Sequence, residues 1–160
     1  MTDKHPSATD ANAAGAAPPA FHVEKLYLKD LSFESPNAPA AFRDSAEPQV
    51  SFNLEMGSVQ KGPEHYETTL HVTVKVTAAE RVLFLVELTY AGLFLLRNVP
   101  QDLLAPTLSV DCPTILFPYV RQLVSEMIIQ GGFRPLVLDP INFAALYQQS
   151  LQKKAAAQAG

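Results

Sequence analysis

PTILFPYVRQLVSEMIIQGGFRPLVLDPINFAALY, residues 113–147, decides the fold. Leu116, Val120, Leu123, Val124, Met127 and Ile128 recur at spacings of three and four, one apolar stripe along a helix. Arg121, Gln122, Ser125 and Glu126 form its polar back. Asp111 is the expected N-cap, with Pro113 in the first turn. Pro118 removes one helix hydrogen bond and is expected to kink the opening turns. Gly131-Gly132 stops the helix. FRPLVL then reads as an extended linker, and Asp139-Pro140 as the N-cap and first position of a second helix running to about Gln152. One side of that helix carries Phe143, Leu146, Tyr147 and Leu151.

An apolar helical stripe needs a partner surface, and upstream the period changes to two. Phe21, Val23, Tyr27, Leu31 and Phe33 fall on one face of a first strand, with His22, Glu24, Asp30, Ser32 and Glu34 on the other. Lys25, Leu26, Leu28 and Lys29 break the alternation, which implies a bulge or two-sided burial. A turn-rich loop covers 35–42. Val50, Phe52, Leu54 and Met56 alternate cleanly in a second strand, and residues 57–64 read as a hairpin loop. Tyr66, Leu70, Val72, Val74 and Val76 mark the third strand, with a turn at 78–81. The fourth, 82–96, is apolar on both faces: Val82, Phe84, Val86, Leu88 and Tyr90 on one, Leu83 and Leu85 beside Glu87 on the other. Residues 97–112 read as an unusually apolar connector without regular structure, bearing Pro100 and Pro106. The fold class is therefore α+β: a four-stranded antiparallel, meander-like sheet with two C-terminal helices packed on one face. Residues 1–20, Ala- and Pro-rich without periodicity, read as a disordered arm; 21–152 is the folded domain; KKAAAQAG, 153–160, reads as a flexible tail.

Composition removes several classes of function. The chain has 160 residues, 48% of them hydrophobic, enough for one domain with a substantial core. A net charge of −4, with Lys153-Lys154 as the only adjacent basic pair, argues against a nucleic-acid partner. The lone Cys112 excludes an internal disulfide framework and a multi-cysteine zinc site, and fits a reducing compartment. No signal-like segment and no apolar run long enough to span a membrane are visible, so a soluble cytoplasmic protein is expected. His5, His22, His65 and His71 form no helical metal pair, and the glycines sit in turns rather than in a phosphate cradle. No metal, cofactor or catalytic residue is expected, and Cys112 reads as a buried, inert thiol.

What remains is contact. Parity places Asp30, Ser32 and Glu34 together and Leu85 with Glu87, so if strands one and four are neighbours, carboxylates ring an outward leucine. That face is either an ordinary solvated one or a docking patch with an apolar anchor and a charged rim. The aromatic set, Phe33, Phe42, Phe52, Phe84, Phe94, Phe117, Tyr119, Phe143 and Tyr147, is richer than one inter-layer core requires.

DLSFESPNAPAAF (30–42), YETTLHVTV (66–74), YAGLF (90–94), CPTILFPYVRQLV (112–124) and GGFRPLVLDPINFAALY (131–147) resemble SecB, the bacterial protein-export chaperone family, over about residues 21–152. The resemblance implies an ATP-independent holdase that keeps precursor polypeptides unfolded in the cytoplasm and delivers them to SecA, the ATPase of the export channel. It implies no cofactor, no direct membrane insertion, and a homotetramer, a dimer of dimers, with helices between two eight-stranded sheets. It assigns SecA docking to Asp30, Glu34, Leu85 and Glu87. Tetramer packing would involve Val86, Leu88 and Tyr90 with Leu116, Val120, Leu123 and Met127. A client groove would lie between the sheet, the 97–112 connector and the last helix, with Phe33, Phe84, Phe94, Leu104, Phe143 and Tyr147 contributing. KKAAAQAG does not match the polar or acidic tail that gives the family a second SecA contact. Two other readings compete: a related chaperone serving a different client, such as a toxin–antitoxin pair, and a small-ligand carrier or cysteine-dependent enzyme using the aromatic pocket.

Overall fold

The computed structural model describes Gly15 and residues 17–160; most of the expected N-terminal arm lies outside the described residues. Four long strands, β1 (Ala20–Glu34), β2 (Gln49–Gln60), β3 (His65–Ala78) and β4 (Arg81–Arg97), precede the helices. All pairings are antiparallel, and the order across the sheet is β1-β4-β3-β2. Strands β2 to β4 form a meander, but β1 joins the far side of β4 instead of β2. The reason lies in β4, which is apolar on both faces and is best satisfied between two neighbours. Leu83, Phe84, Val86, Leu88, Ala91, Phe94 and Leu96 of that strand are all buried. The edges fall to β1 and β2, whose large apolar groups remain partly exposed.

Two bulges interrupt the β1–β4 ladder, between Val23 and Lys25 and between Leu28 and Asp30. They turn Leu26 and Leu28 to the helix side, opposite Gly92 and Tyr90. Tyr27 consequently faces outward, opposite Ala91, and not with Phe21 and Phe33 as simple parity predicts. The β3–β4 hairpin is tighter than its sequence implies. Ala79 and Glu80 alone make the turn, at φ 47° and 65°, the twist-matched geometry for which glycine or asparagine is usually chosen.

The largest departure is the 97–112 connector, which is helical. α1 (Gln101–Pro106) runs through a π-helical turn (Thr107–Asp111) directly into α2 (Cys112–Gln130). Asp111 is inside this helix at φ −69° and caps nothing. The wider turn accommodates the missing donors of Pro106 and Pro113. The Thr107 and Thr114 hydroxyls donate to the carbonyls of Leu103 and Val110 at 2.7 and 2.6 Å. The joined helix has the length and apolar composition of a membrane span. Its stripe is spent on the sheet, with Cys112, Leu116, Val120, Val124 and Ile128 wholly buried. Gly92 sets the closeness of that approach: a Cβ there would lie 2.7 Å from the Phe94 ring and 2.9 Å from Leu116.

Gly131 ends α2, and Gly132, at φ 87°, turns the chain into the linker. α3 (Phe143–Gln158) is capped by Asn142, whose side chain accepts from the Ala145 amide at 3.0 Å, and not by Asp139. It is anchored by Phe143 against Phe117 of α2, and its helical geometry continues to Gln158, past the end the sequence predicts.

Candidate functional site

The sheet has two different faces. The inner one meets α2; the outer one carries no helix or strand among the described residues. On the outer face the register settles the neighbourhood of the acidic residues. Glu34 stands opposite Leu85, Ser32 opposite Glu87 and Asp30 opposite Thr89. The pairing of β1 with β4 thus brings Asp30, Glu34, Leu85 and Glu87 into one patch. Asp30 and Glu34 are exposed, Leu85 and Glu87 half-buried.

The other half of the outer face is stitched to itself. The Tyr27 hydroxyl donates to Glu67 across the small Ala91 of the intervening strand. Lys29 reaches the same carboxylate at 3.1 Å, and Lys61 lies 3.9 Å away. Burial, then Glu67, push the Tyr27 phenol up to about 12, so it stays a donor across the working range. The Tyr27 hydroxyl chiefly holds the Glu67 carboxyl below its usual range; desolvation opposes this, and Lys29 and Lys61 assist. A carboxyl held low in the folded state stabilises above the unfolded carboxylate pKa, and the benefit is lost as pH falls through the lower, folded value. Tyr27→Phe should therefore lower the thermal midpoint at neutral pH, with the gap narrowing below about pH 4 as Glu67 protonates. A gap independent of pH in thermal melts would contradict this linkage.

On the inner face, two clefts of about 710 and 400 Å³ share Val50 and Leu136 and so run on from one another. One wall is the inner side of the edge strand β2, where Val50 is 51% and Phe52 40% exposed. The other is the extended linker, including Phe133, Leu136 and Val137. Its course is set by Pro135 and Pro140 and held by Ser125, whose hydroxyl donates to the Leu136 carbonyl at 2.7 Å. Phe42, Phe133, Phe84 and Phe33 form a chain of rings at the deep end, with successive centroids 5.0, 4.8 and 6.0 Å apart. Gly131 makes room for it: a Cβ there would sit 2.1 Å from the Phe33 ring.

A separate cleft of about 470 Å³ borders the 97–112 connector, lined by Phe21, Val99, Pro100 and Leu103 among others. Of the residues the resemblance assigns to a client groove, Phe84 lines the β2–linker clefts and Phe33 stacks behind Phe84. Phe94 and Phe143 are 0% and 2% exposed and belong to the hydrophobic core of the chain. Leu104 and Tyr147 are half-buried, away from these clefts. Val50, Phe52, Phe133 and Leu136 line the β2–linker clefts. Their signal was present in the alternation of β2 and in FRPLVL, but only the strand order reveals that β2 is an uncovered edge. Val86, Leu88, Leu116 and Val120 are fully buried between sheet and α2, so any part they take in assembly is indirect. Tyr90 stacks on Tyr119 with ring centroids 5.7 Å apart, and Leu123 and Met127 are half-buried.

Burial pushes the Cys112 thiol up to about 12, against a weaker pull from its Thr68 hydrogen bond, so it is not a nucleophile at neutral pH. Among the described residues no group of three or more His, Cys, Asp or Glu side chains is placed to hold a metal ion.

An open apolar groove beside a charged face is a surface built for contact. The model of the family described as SecB, preprotein translocase subunit SecB, matches residues 14–154. Protein-export protein SecB of Magnetococcus marinus is 54% identical over 147 residues, covering 91% of this chain and 94% of that protein. The protein of the same name from Desulfotalea psychrophila is 46% identical, covering 87% and 91%. A solved SecB-like chaperone of Mycobacterium tuberculosis, in complex with a ChAD peptide from the HigA1 antitoxin, superposes with a TM-score of 0.59. It covers 76% of this chain and 90% of that one, and at 13% identity it establishes the likeness of fold. The chain belongs to the SecB family of protein-export chaperones, a chaperone family and not an enzyme family.

Proposed function

We propose that this chain is a cytoplasmic, ATP-independent holdase that binds unfolded precursor polypeptides in the β2–linker groove and passes them to SecA. It acts as a homotetramer, a dimer of dimers, performs no bond-making chemistry and does not insert into the membrane. The carrying observation is the groove itself: valine and phenylalanine left half-exposed along an edge strand, beside a linker shaped by prolines.

One client side chain buried there contributes only about 1.5–3 kcal/mol before ordering costs. That is weak and tolerant of sequence, as a holdase requires. Four grooves engaged by one long chain add avidity through effective concentration. A folded client offers no such segments, so the unfolded state alone is stabilised by binding. Assembly has its own material. Phe21, Val23 and Leu28 on the inner side of edge strand β1, with Tyr119 and Ile129 of α2, are large apolar groups exposed in the protomer.

The outer patch is the SecA-docking surface in this reading, supported by the register that gathers Asp30, Glu34, Leu85 and Glu87. Asp30→Asn with Glu34→Gln should weaken SecA binding about tenfold or more in titration calorimetry and leave client affinity unchanged. Equal SecA affinity in the double variant would show that the carboxylates are merely solvated.

A further inference from the structure

The two halves of the outer face treat their charges differently. In the half around Tyr27 opposite charges are paired, Lys29 and Lys61 with Glu67 and Arg97 with Glu64 at 3.0 Å, and the His65 ring lies within hydrogen-bond reach of Glu24 at 3.3 Å. In the docking half, among the described residues, Asp30, Glu34, Glu87 and Lys75 take part in no ion pair within 4.0 Å. Lys75 is exposed on β3, directly opposite Leu85, and Leu85 is directly opposite Glu34. The row therefore reads Glu34, Leu85, Lys75 across three strands. The strand positions of the opposite charges are two strand spacings apart, roughly 10 Å, and their charged groups lie beyond 4.0 Å of one another, with Leu85 between them. The nearest β4 carboxylate, Glu87, faces Thr73 and stands only diagonally to Lys75.

A face that needed carboxylates alone would gain nothing from an unpaired ammonium beside its apolar anchor. We infer that the docking face is dipolar: an acidic lane on β1 and β4, a basic point at Lys75, and Leu85 between them. It selects a partner surface with an apolar side chain flanked by basic groups on one side and a carboxylate on the other, roughly 10 Å apart. Lys75 is then a specificity-determining residue, because a partner that is only basic meets repulsion at one end of the row. The inference rests on the docking reading above and adds the requirement for an acid on the partner.

The sign of one substitution separates the two. SecA binding by titration calorimetry would be compared for the full-length wild type, Lys75→Met, Lys75→Glu, and Asp30→Asn with Glu34→Gln, with client binding as the control for folding. Lys75→Glu adds negative charge to an acidic patch, so a face that reads only basic groups would bind SecA equally or more tightly. The dipolar face predicts binding about tenfold weaker for Lys75→Glu and weaker by a smaller factor for Lys75→Met. Equal or tighter binding by Lys75→Glu, with the Asp30 and Glu34 variant still impaired, would overturn the dipolar face and leave the docking surface standing. Wild-type affinity in the Asp30 and Glu34 variant as well would remove both.

Discussion

Val50→Ser with Phe52→Ser should leave the protein folded and weaken its hold on an unfolded precursor by roughly a hundredfold or more. Both side chains are on the inner side of β2, and both are about half exposed in the protomer. The fold therefore loses less than it would at a core position, since about half of the burial they can offer is still unused. A client segment lying between β2 and the linker completes that burial. Each lost side chain removes about half of the roughly 1.5–3 kcal/mol of a full burial per engaged groove, and avidity multiplies the loss along a long client. Titration of a fluorescently labelled, unfolded precursor reads the effect, with native mass and a thermal melt confirming that assembly and fold survive. Affinity within twofold of wild type would mean that clients are held elsewhere.

The second large effect is on stability. Phe94→Ala should cost about 3–5 kcal/mol of folding free energy. The ring is fully buried, lies against Phe21 with centroids 5.6 Å apart, and fills the space that Gly92 leaves beneath Leu116. Truncation leaves a cavity between β4 and α2, where neither rigid element can collapse to close it. Chemical denaturation measures the loss, and client affinity well below the new melting point should be close to wild type. A small stability change accompanied by lost client binding would return Phe94 to the groove wall, where the family resemblance had put it.

These two residues show how much of the molecule is legible in the chain. Val50 and Phe94 look alike in sequence, each an apolar residue in an alternating strand. Alternation assigns a face; it does not say whether that face is covered. Coverage follows from strand order, and the order depends on the crossing of 35–48, which carries β2 to the far edge. The strands themselves, the stripe of α2 and its stop at Gly131 are readable because each rests on local periodicity and a local terminator. The start of the long helix is not. Pro106, ahead of the expected cap at Asp111, looks like a break, but a π-helical turn follows it and the helix continues. The two-residue turn at Ala79-Glu80 is equally hidden, because neither residue advertises positive φ. Tyr27 changes face only because two bulges shift the register around it. The outer acidic patch, by contrast, needed one fact beyond parity, the pairing of β1 with β4, and the placement of Asp30, Glu34, Leu85 and Glu87 followed.

The most direct test of the account is the refolding of a slow-folding precursor, diluted from denaturant into increasing amounts of this protein without nucleotide. The account predicts that refolding slows and that the effect saturates at about one tetramer per precursor chain, as four grooves on one client require. A refolding rate unchanged at large excess, for any slow-folding precursor, would contradict it.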